Sequence, residues 1–336
     1  MRRQFRIRKL CALAMLLTLA LSSCGVARQD KSKQEKSKQD KSKKIEPIPR
    51  GTPVLWREPT DIATRNLYLG QGGEAMKPDL SKVTLIRKEP GGYSTKYRVR
   101  DGSGHEWVAK IGKESQAETA ASRLMWAVGY LPDINYLVPS VRVEGLDQTL
   151  ENVRFGARPK EFKRIDVWQW DDNPFIGKPE FQGLKIMMAL INNWDIKDSN
   201  NKIRVMRGSA GANELQYFVS DLGGTFGKVS KVPRVFQFKP DRNNPKEYEK
   251  VRLIDGVKDG RIDFHFSAKR SNLFKDITVG DAVWISAWLS RLSDQQIQDA
   301  FRAANYSPDE VRMLASGLRE RINELVELPK RRQAAK

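Results

Sequence analysis

The stretch NWDIKDSNN, residues 193–201, packs two aspartates, a lysine and three asparagines into nine positions directly after an apolar run with helical spacing. Asp195, Lys197 and Asn200 form the pattern D-x-K-x-x-N within it. Twenty residues past its end comes another acid, Asp221, in SDLGG. Carboxylate and carboxamide oxygens are what a hard divalent cation prefers, often with phosphate completing the shell. Upstream, Lys110 closes the apolar segment VAKIG. An amine in such a strand is costly unless it reaches an anion. Glu118, eight residues on, can be that anion. Taken singly, Lys110 also reads as a strand-end lysine whose head reaches water, and Glu118 as an exposed helix acid.

The elements that must position these groups can be read from periodicity. KVTLIRKE, KYRVRD and EWVAKIG read as three strands joined by the turns PGGYS and GSGHE, an antiparallel meander ending at Lys110. SQAETAASRLMWAVGY carries Ala117, Ala121, Leu124 and Val128 at helical spacing and closes at Gly129. LVPSVRVEG and LENVRFGARP read as two more strands. PEFQGLKIMMALINNW is a helix with a proline near its start. NKIRVM and LQYFVSDLG are short strands around an insertion. From Asp276 the chain reads as helical, with Ser293 as one N-cap and Ser307, Pro308 and Glu310 as a capping box for the last helix. The expected fold class is α+β: a small antiparallel β-rich lobe with one helix (about 80–160), then a mainly helical lobe (about 161–330).

The first fifty residues differ from the rest. Five cationic residues in positions 1–9 precede the uncharged run LCALAMLLTLAL, too short to span a bilayer and suited to a signal-peptide core. LSSC, ending at Cys24, resembles a bacterial lipobox; the resemblance implies cleavage after residue 23 and lipid on Cys24. The alternative is an ordinary secretory signal. Residues 24–50 hold a Lys/Ser/Gln repeat without apolar side chains, a solvated tether. The expected setting is an exported lipoprotein of the cell envelope, at the outer membrane, contacting membrane lipid through Cys24. With Cys11 removed and Cys24 acylated, no cysteine remains for a disulfide or a zinc site. About half of the net charge of +19 lies in residues 1–50, which hold fourteen Lys and Arg against four Asp and Glu. The remainder is only mildly basic, so no nucleic-acid partner is expected.

Phosphoryl transfer needs a cation on the phosphates, an anchor for it, metal ligands, and a carboxylate at the attacking hydroxyl. The order in which this chain supplies them resembles that of protein kinases. Asp195, Lys197 and Asn200 resemble the catalytic loop, and Asp221 with Gly223 resembles D-F-G with Leu222 in the middle. Lys110 resembles the strand lysine and Glu118 its helix partner. Gly91, Gly92 and Ser94 lie where the phosphate loop belongs; Gly70, Gly72 and Gly73 lie too far upstream.

The departures are specific. Asn193 and Trp194 stand where His-Arg would precede the aspartate, there is no G-x-G-x-x-G or A-P-E, and the interval to Asp221 is long. These features, with ETAASRLMWAVGY, look more like the atypical branches: HipA-like, CotH-like and phosphoinositide-kinase-like proteins. The resemblance implies a two-lobed kinase-like fold with ATP and Mg2+ or Mn2+ as cofactors. Lys110 would contact the α/β-phosphates, with Glu118 orienting it and Gly91, Gly92 and Ser94 offering backbone N–H groups. Asp195 would take or position the hydroxyl, Lys197 would neutralise the γ-phosphoryl, and Asn200 and Asp221 would bind metal. Asp198 and Asn201 read as solvated. The acceptor, whether protein, lipid or small molecule, and the oligomeric state stay open. So do two alternatives, a kinase fold that binds without catalysing and an envelope scaffold. Only His105, in a turn, and His265, in a strand-like DFHFS, are present, which leaves little for a Ser-His-Asp triad or a histidine metal cluster.

Overall fold

The computed structural model describes residues 49–334, apart from 92–93, 160–161, 163, 208–211, 230–240 and 268. The lipidation site Cys24 and the loop residue Gly92 therefore lie outside the described residues. The chain is α+β. A first sheet is built from β2 (Thr84–Glu89), β3 (Thr95–Arg100), β4 (Glu106–Ile111), β5 (Asn135–Arg142) and β6 (Thr149–Ala157), after a short β1 (Thr52–Val54) that belongs elsewhere. Its order is β2-β3-β4-β6-β5, every pairing antiparallel. The three meander strands lie where alternation put them. Their buried partners Tyr97, Val99, Trp107, Ala109, Val153 and Phe155 form one compact core.

Gly112 turns the chain from β4 into helix α1 (Glu114–Ala127) with φ of +116°, a conformation side chains rarely adopt. One side of α1, with Ala117, Ala121 and Leu124, joins the larger hydrophobic core shared with the C-terminal helices. Its other side turns Glu114 and Glu118 toward β4. Ser115 Oγ donates to the Lys110 carbonyl at 2.8 Å and ties the helix start to that strand.

The second half is mainly helical, as expected, and the expected strands NKIRVM and LQYFVSDLG fall in β8 and β9. It contains a four-stranded sheet, order β1-β9-β8-β7, with β7 (Arg164–Asp166), β8 (Asn201–Arg207) and β9 (Asn213–Val219). The N-terminal β1 pairs with β9 in parallel, a contact between segments some 160 residues apart that no local pattern announces. A further hairpin joins β10 (Ile254–Lys258) and β11 (Arg261–Phe264). His265 lies one residue past β11, paired with Asp255 at 2.9 Å, rather than within a strand.

The helices are α2 (Pro179–Leu190), α3 (Pro245–Lys250), α4 (Val279–Leu289), α5 (Asp294–Arg302) and α6 (Pro308–Ala334). Ser293 and Gln296 form a reciprocal capping box, as do Ser307 and Glu310. No helix among the described residues is long and apolar enough to cross a membrane.

Candidate active site

Strand register fixes the first part of the site. Lys96 on β3 pairs with Lys110 on β4, and Lys110 with Arg154 on β6, so three cations stand in one row across the sheet. Lys110 is 2 % exposed. Its Nζ lies 2.8 Å from Glu114, 2.9 Å from Glu118 and 3.5 Å from Asp221. Glu118 also receives Arg154 at 3.1 Å. Glu114 accepts from Ser94 Oγ at 2.8 Å and pairs with Arg242. Ser94 thus uses its side chain on Glu114. Gly91, at φ of +78°, makes the turn before it.

Burial alone would push the Lys110 amine down. The carboxylates of Glu118, Asp221 and Glu114 outweigh it and hold the amine above its ordinary range, against the opposing charge of Arg154. The same contest runs in reverse for the acids. Burial lifts Asp221, but Lys110 and the Gly223 N–H hold it below the usual carboxylate range. Glu114 is likewise held low by Lys110 and Ser94 against burial.

The second part of the site is the loop between α2 and β8. Asp195 accepts from Lys197 Nζ at 2.8 Å on one oxygen and from Lys269 on the other. These two lysines hold its carboxyl below the ordinary range although burial works against them. Asn200 Nδ2 donates to the Asp195 carbonyl at 2.8 Å, which fixes the loop from inside. The side chain of Trp194 packs beneath two cations, with Arg242 at 5.0 Å and Lys269 at 5.4 Å from its ring centre.

Two glycines let the Asp221 segment join both parts. A Cβ on Gly223 would sit 2.7 Å from Cβ of Glu114, and one on Gly224 would sit 3.1 Å from Cβ of Asp195. The Trp194 N–H donates to the Gly224 carbonyl at 3.3 Å, and the Ser220 N–H to the Asn200 carbonyl at 2.8 Å. Sequence-predicted Lys110, Glu118, Ser94 and Asp221 therefore meet at one point. Asp195, Lys197 and Asn200 form a second point that touches it through Gly224.

Among the described residues, no group of three or more His, Cys, Asp or Glu stands together as a metal cage. The donors present are Asp221, 43 % exposed, and the carboxamide of Asn200. The Asn200 nitrogen is spent on the backbone, so its oxygen is the atom left to offer. One carboxylate and one carbonyl oxygen suit a cation that arrives with phosphates, as Mg2+ does.

Two expectations are corrected. Asn201 is fully buried and donates to the Trp168 carbonyl at 3.0 Å, so it braces the loop from below. Asp198 accepts from the Trp170 N–H at 3.1 Å and from Arg270 at 2.6 Å, a latch rather than a free side chain. Trp107 belongs to the sheet core, where its indole donates to Asp101 at 2.8 Å.

Sequence reasoning missed Glu114, Arg154, Arg242 and Lys269. Hairpin register could have found Lys96 opposite Lys110, and the i+4 spacing from Lys110 could have found Glu114. Arg242 and Lys269 reach the site from 128 and 74 residues away and leave no local signal.

No protein-family model matches the chain, and no curated protein matches it. Among solved structures, it is similar to the Helicobacter pylori proinflammatory kinase CtkA at 11% identity and a TM-score of 0.46, covering 74% of this chain and 98% of that one. It is also similar to the Rio2 kinase of Chaetomium thermophilum, from a complex with ADP, Mg2+ and phosphoaspartate, at 12% identity and a TM-score of 0.33, covering 74% of each chain. Overlaps this loose carry no weight for function, which must rest on the side-chain geometry.

Proposed function

We propose that the chain is an ATP-dependent phosphotransferase of an atypical protein-kinase-like kind. One observation carries the reading: Lys110, Glu118 and Asp221, from three separate elements, converge within 3.5 Å, next to a loop presenting Asp195, Lys197 and Asn200. A buried amine held charged by carboxylates is a ready phosphate receptor. Lys110 would bind the α/β-phosphates, with Glu118 and Glu114 fixing its direction. Gly91 and Ser94 lie on the turn that would cover those phosphates, the stretch where the sequence also supplies Gly92. Asp221 and Asn200 would hold Mg2+ or Mn2+, which supplies charge neutralisation on the phosphate oxygens.

Asp195 orients the acceptor hydroxyl and takes its proton as the hydroxyl oxygen bonds to the γ-phosphorus. The bond from that phosphorus to the bridging oxygen breaks, and ADP leaves with the electron pair. Lys197 steadies the charge on the transferring group. The acceptor is a hydroxyl on a protein, a lipid or a small molecule. The signal-like start and Cys24 support an envelope-anchored setting, with lipid as the membrane partner.

A second reading, nucleotide binding without transfer, is favoured by one feature: both oxygens of Asp195 are tied to lysines, which weakens it as a base. ADP release from Mg-ATP separates the two. The transfer reading expects turnover that falls about 10²–10⁴-fold in Asp195→Asn, the usual range for a lost acid–base group. ATP binding with no turnover in the unaltered protein, across a panel of hydroxyl acceptors, would favour the second.

A further inference from the structure

Arg123 lies on α1, one and a half turns past Glu118, and is 3 % exposed. No ion pair reaches it among the described residues, and its Nε is buried without a hydrogen-bond partner. Its guanidinium rests 5.4 Å from the ring centre of Tyr136. Burial pushes the group down to about 10, with only the Tyr136 phenol opposing. A buried cation in this state is costly unless something else completes it.

What covers it is a glycine-rich segment with no part in the candidate active site. A Cβ at Gly70 would sit 2.4 Å from the guanidinium carbon, and one at Gly72 would sit 2.2 Å from the Tyr136 hydroxyl. That hydroxyl donates to the Gly73 carbonyl at 2.7 Å. The glycines of GQGG thus let backbone lie directly on Arg123 and Tyr136.

Arg123 opens onto a cavity of about 200 Å³ between α1, β5 and the end of α5. Lys77 and Arg302 also line it, and among the described residues no Asp or Glu does. Those two have acidic neighbours of their own, Glu74 at 3.0 Å and Asp299 at 3.5 Å; Arg123 has none. The remaining wall is mainly apolar, including Leu69, Leu137 and Val138, with Asn305 and the phenols of Tyr68 and Tyr136 as its polar part. Three cations, no acid among the described lining residues and mainly apolar walls describe a receptor for a charged head on an apolar body. The small volume limits that body to a few carbons.

We propose that this cavity binds a small organic anion, a phosphate or carboxylate on a short apolar group, with Arg123 as its receptor. The proposal does not depend on phosphoryl transfer. Because Arg123 and Glu118 share a helix, a ligand here would also brace α1 from the side opposite Lys110.

Calorimetric titration of the full-length protein with butyl phosphate, butyrate, inorganic phosphate and butanol tests it. At least one of the two amphipathic anions should bind at least tenfold tighter than butanol and inorganic phosphate, and their order identifies the head group. Arg123→Gln should weaken that binding at least tenfold. Arg302→Gln should weaken it less, and Lys110→Met should leave it unchanged. Leu137→Trp, which narrows the cavity with Arg123 in place, should also abolish binding and serves if Arg123→Gln does not fold. Equal binding by butanol, no binding by either anion, or binding that survives in both Arg123→Gln and Leu137→Trp would overturn the proposal. Loss in Lys110→Met alone would place the anion at the other cation and overturn it too.

Discussion

Two buried cations lie on opposite sides of helix α1, Lys110 on the neighbouring strand β4 and Arg123 on the helix itself. On one side Lys110 meets three carboxylates within 3.5 Å. On the other, Arg123 is as deeply buried and meets none among the described residues. The first is a cation whose charge is held in place by its carboxylate neighbours. The second has no countercharge among the described residues, which is why an anion is proposed to complete it. A buried charge thus has opposite consequences for stability according to its company. This contrast can be broken or sharpened by substitution.

The largest effect is expected at Glu118. Glu118→Ala leaves Lys110 and Arg154 facing one another with less compensation, and should cost about 3–5 kcal/mol in denaturant unfolding, the range for breaking a buried pair. A loss below about 1 kcal/mol would mean that Glu114 and Asp221 alone suffice. Next is Gly223→Ala, whose methyl would press on Glu114; overpacking of this kind costs about 1–3 kcal/mol. Gly224→Ala, with 3.1 Å of room instead of 2.7 Å, should cost less.

Arg123→Met should act in the opposite direction and stabilise the unliganded protein by about 1 kcal/mol, because an unpaired buried polar group is removed. Destabilisation there would show that Arg123 is already satisfied.

The smallest effect is the pH response. Asp221, Glu114 and Asp195 all titrate below their ordinary range in the folded chain. Their stabilisation is therefore complete above the unfolded carboxylate range, near pH 4, and is lost as pH falls through their lower folded values. Lys110 is raised, so its share persists through neutral pH and fades only as pH climbs past about 10.4. Lys110→Met should flatten both limbs of the stability curve, while Arg123→Met should leave the acid limb unchanged.

The same contrast explains what could be read from sequence. Lys110 and Glu118 were legible because a strand and the helix that follows it bring them together over eight residues. Alternation placed the meander, and the short motif around Asp195 kept its own spacing. Capping chemistry placed α5 and α6 for the same local reason. Arg123 was illegible, since an arginine within a helix carries no mark of whether it meets an acid. Of the second sheet, β8 and β9 were legible as NKIRVM and LQYFVSDLG, while β1 and β7 were not, because β1 joins β9 across the chain and periodicity does not encode partners. Asn201 reads as a loop side chain in the sequence, although tertiary packing buries it against the Trp168 carbonyl. Arg242 and Lys269 complete the site through contacts that only the folded chain defines.

In the proposed function Lys110 is a phosphate receptor completed by metal at Asp221. Its most direct test is equilibrium ATP binding to the full-length protein, with and without Mg2+, beside Lys110→Met and Asp221→Asn. The account predicts binding that strengthens with Mg2+ in the unaltered chain, loses the Mg2+ dependence in Asp221→Asn, and falls at least tenfold in Lys110→Met. ATP binding that is absent, or equal in all three proteins, would contradict it and leave the Lys110 cluster as a structural ion network.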